Sequence, residues 1–150
     1  MNSFIKREYD YAVRICAYLA GQPSGTTVSV SKISKALFIT RPFSNKIINQ
    51  LRLAGITGSV QGKFGGVFLR KKPEQLSILD ILKAMNFNST INECILNPGI
   101  CPLIKSCKIH LFFKEQEELL LKNFEQKKII DFAFSDKDIL NSAKPIQPIT

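Results

Sequence analysis

Cys94, Cys101, Cys107 and His110 follow one another as Cys-x(6)-Cys-x(5)-Cys-x(2)-His. The sequence has four cysteines and one histidine, so most of its thiols and its sole imidazole fall in one short stretch. Thiolate and imidazole are soft and borderline donors, the groups that hold zinc or an iron–sulfur cluster. The plain alternative is three buried thiols beside a surface histidine. Cys16 stands apart. It shares a helical stripe with Tyr9, Ala12, Val13, Leu19 and Ala20 and reads as a small core residue.

The second chemical signal is charge. The net charge is +9, and residues 11–73 contain no acid while carrying bases from Arg14 to Lys72. A stretch that cannot neutralise its own field calls for a polyanion. A membrane surface would need those bases on one amphipathic helix, and they are spread over several elements instead. Acids return after Glu74, giving a basic N-terminal half and a mixed C-terminal half. One histidine and no paired carboxylates argue against an enzyme. No apolar run is long enough to span a bilayer. Charged Glu8 and Asp10 follow at once where a secretory leader would be apolar. The expectation is a cytoplasmic protein, in which clustered thiols serve metal binding or redox sensing rather than structural disulfides.

These residues need elements to position them. Apolar spacing predicts a first helix over 5–20, broken by Gly21 to Gly25. A short helix over 30–37, capped by Ser29, precedes a turn at Phe38 to Thr40. Thr40 caps a third helix over 41–53, with Pro42 in its first turn and Gly55 just past its end. Its inward stripe is Phe43, Ile47, Leu51 and Ala54. Two short helices joined by a tight turn are a helix-turn-helix. Two β-prone runs around Gly62, Lys63, Gly65 and Gly66 form a hairpin, placed as a wing. No helix opens after those glycines, which excludes a nucleotide loop. Ser77 and Asp80 box the start of a fourth helix. Residues 86–100 are irregular. Pro102 opens a long helix over 103–126, with Cys107 and His110 three apart on it. Its Ile104, Leu111, Phe112, Leu119, Leu120 and Phe124 need a partner subunit to cover them. An amphipathic piece over 128–134 follows.

In this order the residues resemble the IscR/NsrR/CymR family of bacterial winged-helix regulators, the Rrf-two superfamily. The resemblance covers residues 5–135. It is carried by Tyr9 to Arg14, Val28 to Ile33, Leu51 to Ile56, the wing Ser59 to Val67, Ile78 to Ala84 and the spaced cysteines. It implies a homodimer, a long dimerisation helix and an effector loop that in many members holds an iron–sulfur cluster. It also implies a fourth ligand. His110 matches the position that completes the cluster in IscR-like members, and Asp10 matches the aspartate that completes it from the partner subunit in NsrR-like members. Asp10 also reads as a surface acid near a helix start. The first cysteine gap is six where the family usually has five, and Gln61 stands where the family usually has Arg.

The expected architecture is mainly α with a small β-hairpin wing: a winged helix-turn-helix DNA-binding domain (1–75), an effector loop with dimerisation helices (76–135) and a flexible tail (136–150). The expected activity is sequence-specific binding of double-stranded DNA by a homodimer, switched by a [2Fe–2S] or [4Fe–4S] cluster on Cys94, Cys101, Cys107 and His110 or Asp10. Zinc on the same residues, or a metal-free thiol switch, is the alternative. The third helix would present Arg41, Ser44, Asn45, Lys46, Asn49 and Gln50 to base edges. Lys32, Lys35, Gln61 and Lys63 would meet the backbone and the adjoining groove. A basic RNA-binding module would instead show aromatics on a sheet.

Overall fold

The computed structural model describes residues 3–142. Helix α1 (Arg7–Ala20) is the hub. It packs against α3 (Arg41–Leu53), α4 (Ile78–Ala84), strand β2 (Gly66–Leu69) and a 3-10 turn at Ile129–Phe132. Surrounded in this way, it buries Ile15, Ala17 and Tyr18 as well as the predicted Tyr9, Ala12, Cys16 and Leu19. The core continues through Ile33, Ile47, Leu51, Ile56, Leu76, Ile81 and Leu82. Truncating any one of these to Ala leaves a cavity worth about 2–5 kcal/mol.

Helix α2 (Val30–Ala36) begins at Ser29, whose side chain accepts from the Lys32 N–H, and crosses α3 after a turn at Phe38 with φ 54°. Thr40 caps α3 by accepting from Phe43 N–H, Pro42 lies in the first turn, and Gly55 follows with φ 74°. Strand β1 (Thr57–Val60) pairs antiparallel with β2, Thr57 opposite Leu69 and Val60 opposite Gly66. Val28 extends the hairpin by a reciprocal pair of backbone bonds to Val67, 2.9 and 2.8 Å. The architecture is a winged helix-turn-helix with the two-stranded wing predicted.

Helix α4 carries the capping box of Ser77 and Asp80, both bonds 3.0 Å. Beyond it, α5 (Glu93–Leu96) and a 3-10 turn at Pro98–Ile100 interrupt a segment expected to be irregular throughout. Helix α6 runs Lys108–Gln126. The predicted start at residue 103 is corrected: residues 101–106 form two successive turns, Ile104 N–H to Cys101 O and Ser106 N–H to Leu103 O. Ser106 and Cys107 are weak helix formers, and the Cys107 sulfur caps α6 from outside.

The segment read as a tail from residue 136 starts as a helix, α7 (Asp136–Ser142). Its approach is fixed by Phe134, which stacks tilted on Tyr18, donates its N–H to Ala17 O, and brings its carbonyl against Gly21 so closely that no Cβ would fit. Ile139 packs on the core. Residues 143–150 lie outside the described residues.

Candidate nucleic-acid interface and metal centre

Most of the predicted DNA contacts stand in water. Lys32 and Lys35 on α2, Arg41, Asn45, Lys46 and Asn49 on α3, and Gln61 and Lys63 at the wing tip are all exposed. Two lysines are engaged. Lys46 Nζ lies 3.1 Å from Glu8 Oε2, and Lys32 Nζ lies 3.1 Å from Asp136 Oδ2. Arg52 Nη2 donates to Asn49 Oδ1 at 2.8 Å.

Ser44 is a correction. It is fully buried, accepting from Ser34 Oγ at 2.8 Å and donating to Thr40 O at 3.2 Å. It pins α2 to α3 and presents nothing to a base. Ala54, assigned to the inward stripe, is exposed, and Ile48 takes a buried place instead. Gln50 is half-buried, and its Oε1 is turned inward where no donor reaches it. Such an orphaned acceptor costs about 1–3 kcal/mol.

Asp136 was not foreseen as a functional residue. It accepts from the buried Tyr18 hydroxyl at 2.6 Å while pairing with Lys32. The Tyr18 bond, then Lys32, hold its carboxyl below the ordinary carboxylate range. Burial, reinforced by Asp136, pushes the Tyr18 hydroxyl well above its ordinary value.

The four C-terminal donors are each half-buried. Cys94 opens the turn of α5, where Asn92 caps its N–H at 3.4 Å. Its Sγ approaches His110 Nδ1 to 3.2 Å, folding the loop onto the first turn of α6. Cys107 Sγ accepts from the His110 backbone N–H at 3.4 Å. The Ile91 N–H donates to Glu117 Oε2 at 2.8 Å, a second tie between loop and helix. Cys101 closes the 3-10 turn, and its thiol is not in a disulfide. Asp10 does not join these donors within one chain. Arg14 Nε donates to its Oδ2 at 2.9 Å.

Among the described residues no three His, Cys, Asp or Glu side chains converge as a single ion requires. A tetrahedral zinc site is therefore not preformed. An iron–sulfur cluster places less demand on convergence, because its thiolates bind different irons. The soft donor set fits a cluster in its chemistry, and the Cys94–His110 approach brings two of its members together. Cys16 is excluded: it is fully buried, and burial holds its thiol protonated.

Fold and surface together define a winged-helix DNA-binding protein. The profile of the Rrf2 family, described as an iron-dependent transcriptional regulator, matches residues 5–134. The chain belongs to that family, and it is a DNA-binding transcriptional regulator rather than an enzyme. It is 28% identical over 138 residues to the HTH-type transcriptional regulator NsrR of Shouchella clausii, covering 87% of this chain and 88% of that one. Its fold is similar to a transcriptional regulator from Listeria innocua (TM-score 0.72, 18% identity, 97% and 92% of the two chains). It is also similar to CymR, the global cysteine regulator of B. subtilis (TM-score 0.67, 18% identity, 89% and 97%). At those identities the solved structures speak for the fold alone. No helix among the described residues is long and apolar enough to cross a membrane.

Proposed function

We propose that the chain is a homodimeric regulator whose grip on DNA is switched at the cysteine segment, with an iron–sulfur cluster as the resident group. The observation that carries this reading is the 3.2 Å approach of Cys94 Sγ to His110 Nδ1, which draws donors from a loop and a helix together. Cys94, Cys101 and Cys107 would hold the cluster, with His110, or Asp10 of the partner subunit, as fourth ligand. When bound, the group supplies a redox-active, chemically labile cross-link. The protein's own residues do the rest.

Helix α6 has no fully buried residue and leaves Ile109, Leu111, Phe112 and Leu119 more than half exposed, which supports a second subunit packed along it. Movement of the loop has a contiguous route to the reading head. The end of α6 is stitched to the start of α4 by Ile78 N–H to Lys127 O (3.0 Å) and Ile129 N–H to Leu76 O (2.8 Å). Helix α4 packs on α1, and α1 on α3. With α3 in a major groove, Arg41, Asn45, Lys46 and Asn49 read base edges, while Lys35 and Lys63 meet phosphates. A coupling of about 1–3 kcal/mol between the two states of the loop would change DNA affinity roughly 5–150-fold.

Anaerobic purification followed by iron and sulfide analysis tests this directly, alongside light scattering for the dimer. Cys101→Ala should lose iron and sulfide together. A variant that keeps full iron and sulfide refutes the ligand set. A colourless protein that binds zinc stoichiometrically would establish the zinc alternative. A disulfide formed on mild oxidation of metal-free protein would establish the thiol switch.

A further inference from the structure

The wing carries an aromatic ring that the fold does not use. Phe64, at the hairpin tip, is 87% exposed, more than any other large hydrophobic side chain among the described residues. Its backbone is braced from outside the hairpin. Thr27 Oγ1 donates to Phe64 O at 3.1 Å, and Gly65 N–H closes the turn on Gly62 O at 3.0 Å. A Cβ on Gly65 would overlap the Val60 carbonyl, so the residue after Phe64 must be glycine for the tip to close this tightly. Val28, next to Thr27, is itself paired with Val67. The backbone that carries the ring is thus held on a supported tip. Lys63 Nζ sits 5.7 Å from its centroid.

An exposed ring on a braced tip, beside an ammonium, fits a surface with apolar faces flanked by negative charge. Duplex DNA offers that combination at a base step between two phosphate strands. Strand β1 starts four residues after α3 ends, so the wing stands beside the reading helix. With α3 in a major groove, the wing tip reaches the minor groove next to it. Side chains such as Phe and Leu enter minor grooves as wedges that unstack one base step and bend the duplex. Pyrimidine–purine steps yield most easily.

We propose that Phe64 is such a wedge: it enters the minor groove and partly unstacks a base step, with Lys63 on a flanking phosphate. The role rests on the DNA-binding reading of α3 and the wing. It adds a determinant of specificity through deformability at base pairs that α3 does not touch.

The test uses the full chain, purified anaerobically, and the duplexes that the wild type enriches from a random-sequence pool. 2-Aminopurine is scanned through those duplexes, and bending is read from circularly permuted fragments. The wild type should raise fluorescence at one step per half-site. Phe64→Ala should abolish that rise, reduce the bend and weaken binding roughly 5- to 150-fold, the range of losing one base–aromatic stack. Its salt dependence should stay unchanged, because no charge is removed. Phe64→Leu should restore part of the bend. Lys63→Ala should keep bend and fluorescence and lower the slope of log affinity against log salt by about 1. Phe64 is solvent-exposed, so Phe64→Ala should unfold at the wild-type temperature. Wild-type affinity and bend in Phe64→Ala would overturn the proposal. So would weakened binding when the wild type produces no fluorescence rise, since the ring would then face a groove wall or a protein. If the wild type enriches no duplex, the DNA-binding reading and the wedge fall together, an outcome distinct from a duplex that both proteins hold equally.

Discussion

Replacing Asp136 with Asn should weaken the fold and strengthen DNA binding at once. The carboxylate accepts from Tyr18 OH at 2.6 Å and pairs with Lys32 at 3.1 Å. Asn keeps an acceptor for Tyr18 but turns a bond to a charged group, about 1.5–3 kcal/mol, into a neutral one of about 0.5–1.5 kcal/mol. The Lys32 pair adds little, because both side chains are about half exposed (52% and 49%) and such pairs are worth ~0–1 kcal/mol. The total loss is roughly 1–2 kcal/mol, or a fall in Tm of about 2–8 °C for a chain of this size. Asp136 titrates below the ordinary carboxylate value, so its contribution is complete above pH ~3.9 and drains only as pH falls further. The stability gap between wild type and variant should therefore stay constant from neutral pH down to about 4 and close in stronger acid. If Lys32 meets a phosphate on DNA, it must exchange Asp136 for it. Removing that competitor should raise affinity up to about fivefold, and the gain should fade as added salt screens it. Fluorescence anisotropy across a salt series reads the effect, and a double-mutant cycle with Lys32→Ala isolates it. If the two substitutions are additive in binding, Asp136 does not mask Lys32 and the reasoning fails.

Alkylation of native, metal-free protein should label Cys94, Cys101 and Cys107 but leave Cys16 untouched until denaturant is added, because Cys16 is sealed in the core and held protonated; peptide mass mapping after labelling gives the answer. Asp80→Ala should cost about 1 kcal/mol in thermal unfolding through loss of the capping box. Burial pushes the Asp80 carboxyl up, but hydrogen bonds from Ser77 and the charges of Lys71 and Lys128 bring it below its ordinary value. That stabilisation should accordingly be present at neutral pH and disappear only below pH ~4, so an Asp80→Ala protein should match the wild type in strong acid.

Local signals made the reading head legible. Thr40, Pro42 and Gly55 bracket α3 at its observed ends, and the glycines at 62, 65 and 66 announce the wing. What escaped depended on partners remote in sequence. Ser44 looks like a polar residue off an apolar stripe, and only the crossing of α2 over α3 hands it Ser34 as a buried partner. Residues 136–142 look polar and loose, and α7 is anchored by Tyr18, which lies 118 positions earlier. The start of α6 was misplaced because Leu103 and Ile104 prolong its apolar rhythm, while its true cap is a sulfur rather than the usual oxygen. The donor types at 94, 101, 107 and 110 were plain from the sequence. How they approach one another was not, since it depends on how the loop lies over the helix.

That sulfur cap gives Cys107 a structural task beside its chemical one. While its Sγ accepts from the His110 N–H, it closes the opening turn of the α6 rod. A ligated thiolate can still accept that N–H, whereas oxidation to a disulfide would swing the sulfur toward its new partner and leave the N–H wanting an acceptor. The first turn must then fray or find another partner. His110 sits in that same turn, so fraying there would also loosen the imidazole's contact with Cys94. Oxidation at Cys107 would then shorten α6 by a turn, a change that a second subunit packed along the rod, as proposed, would feel.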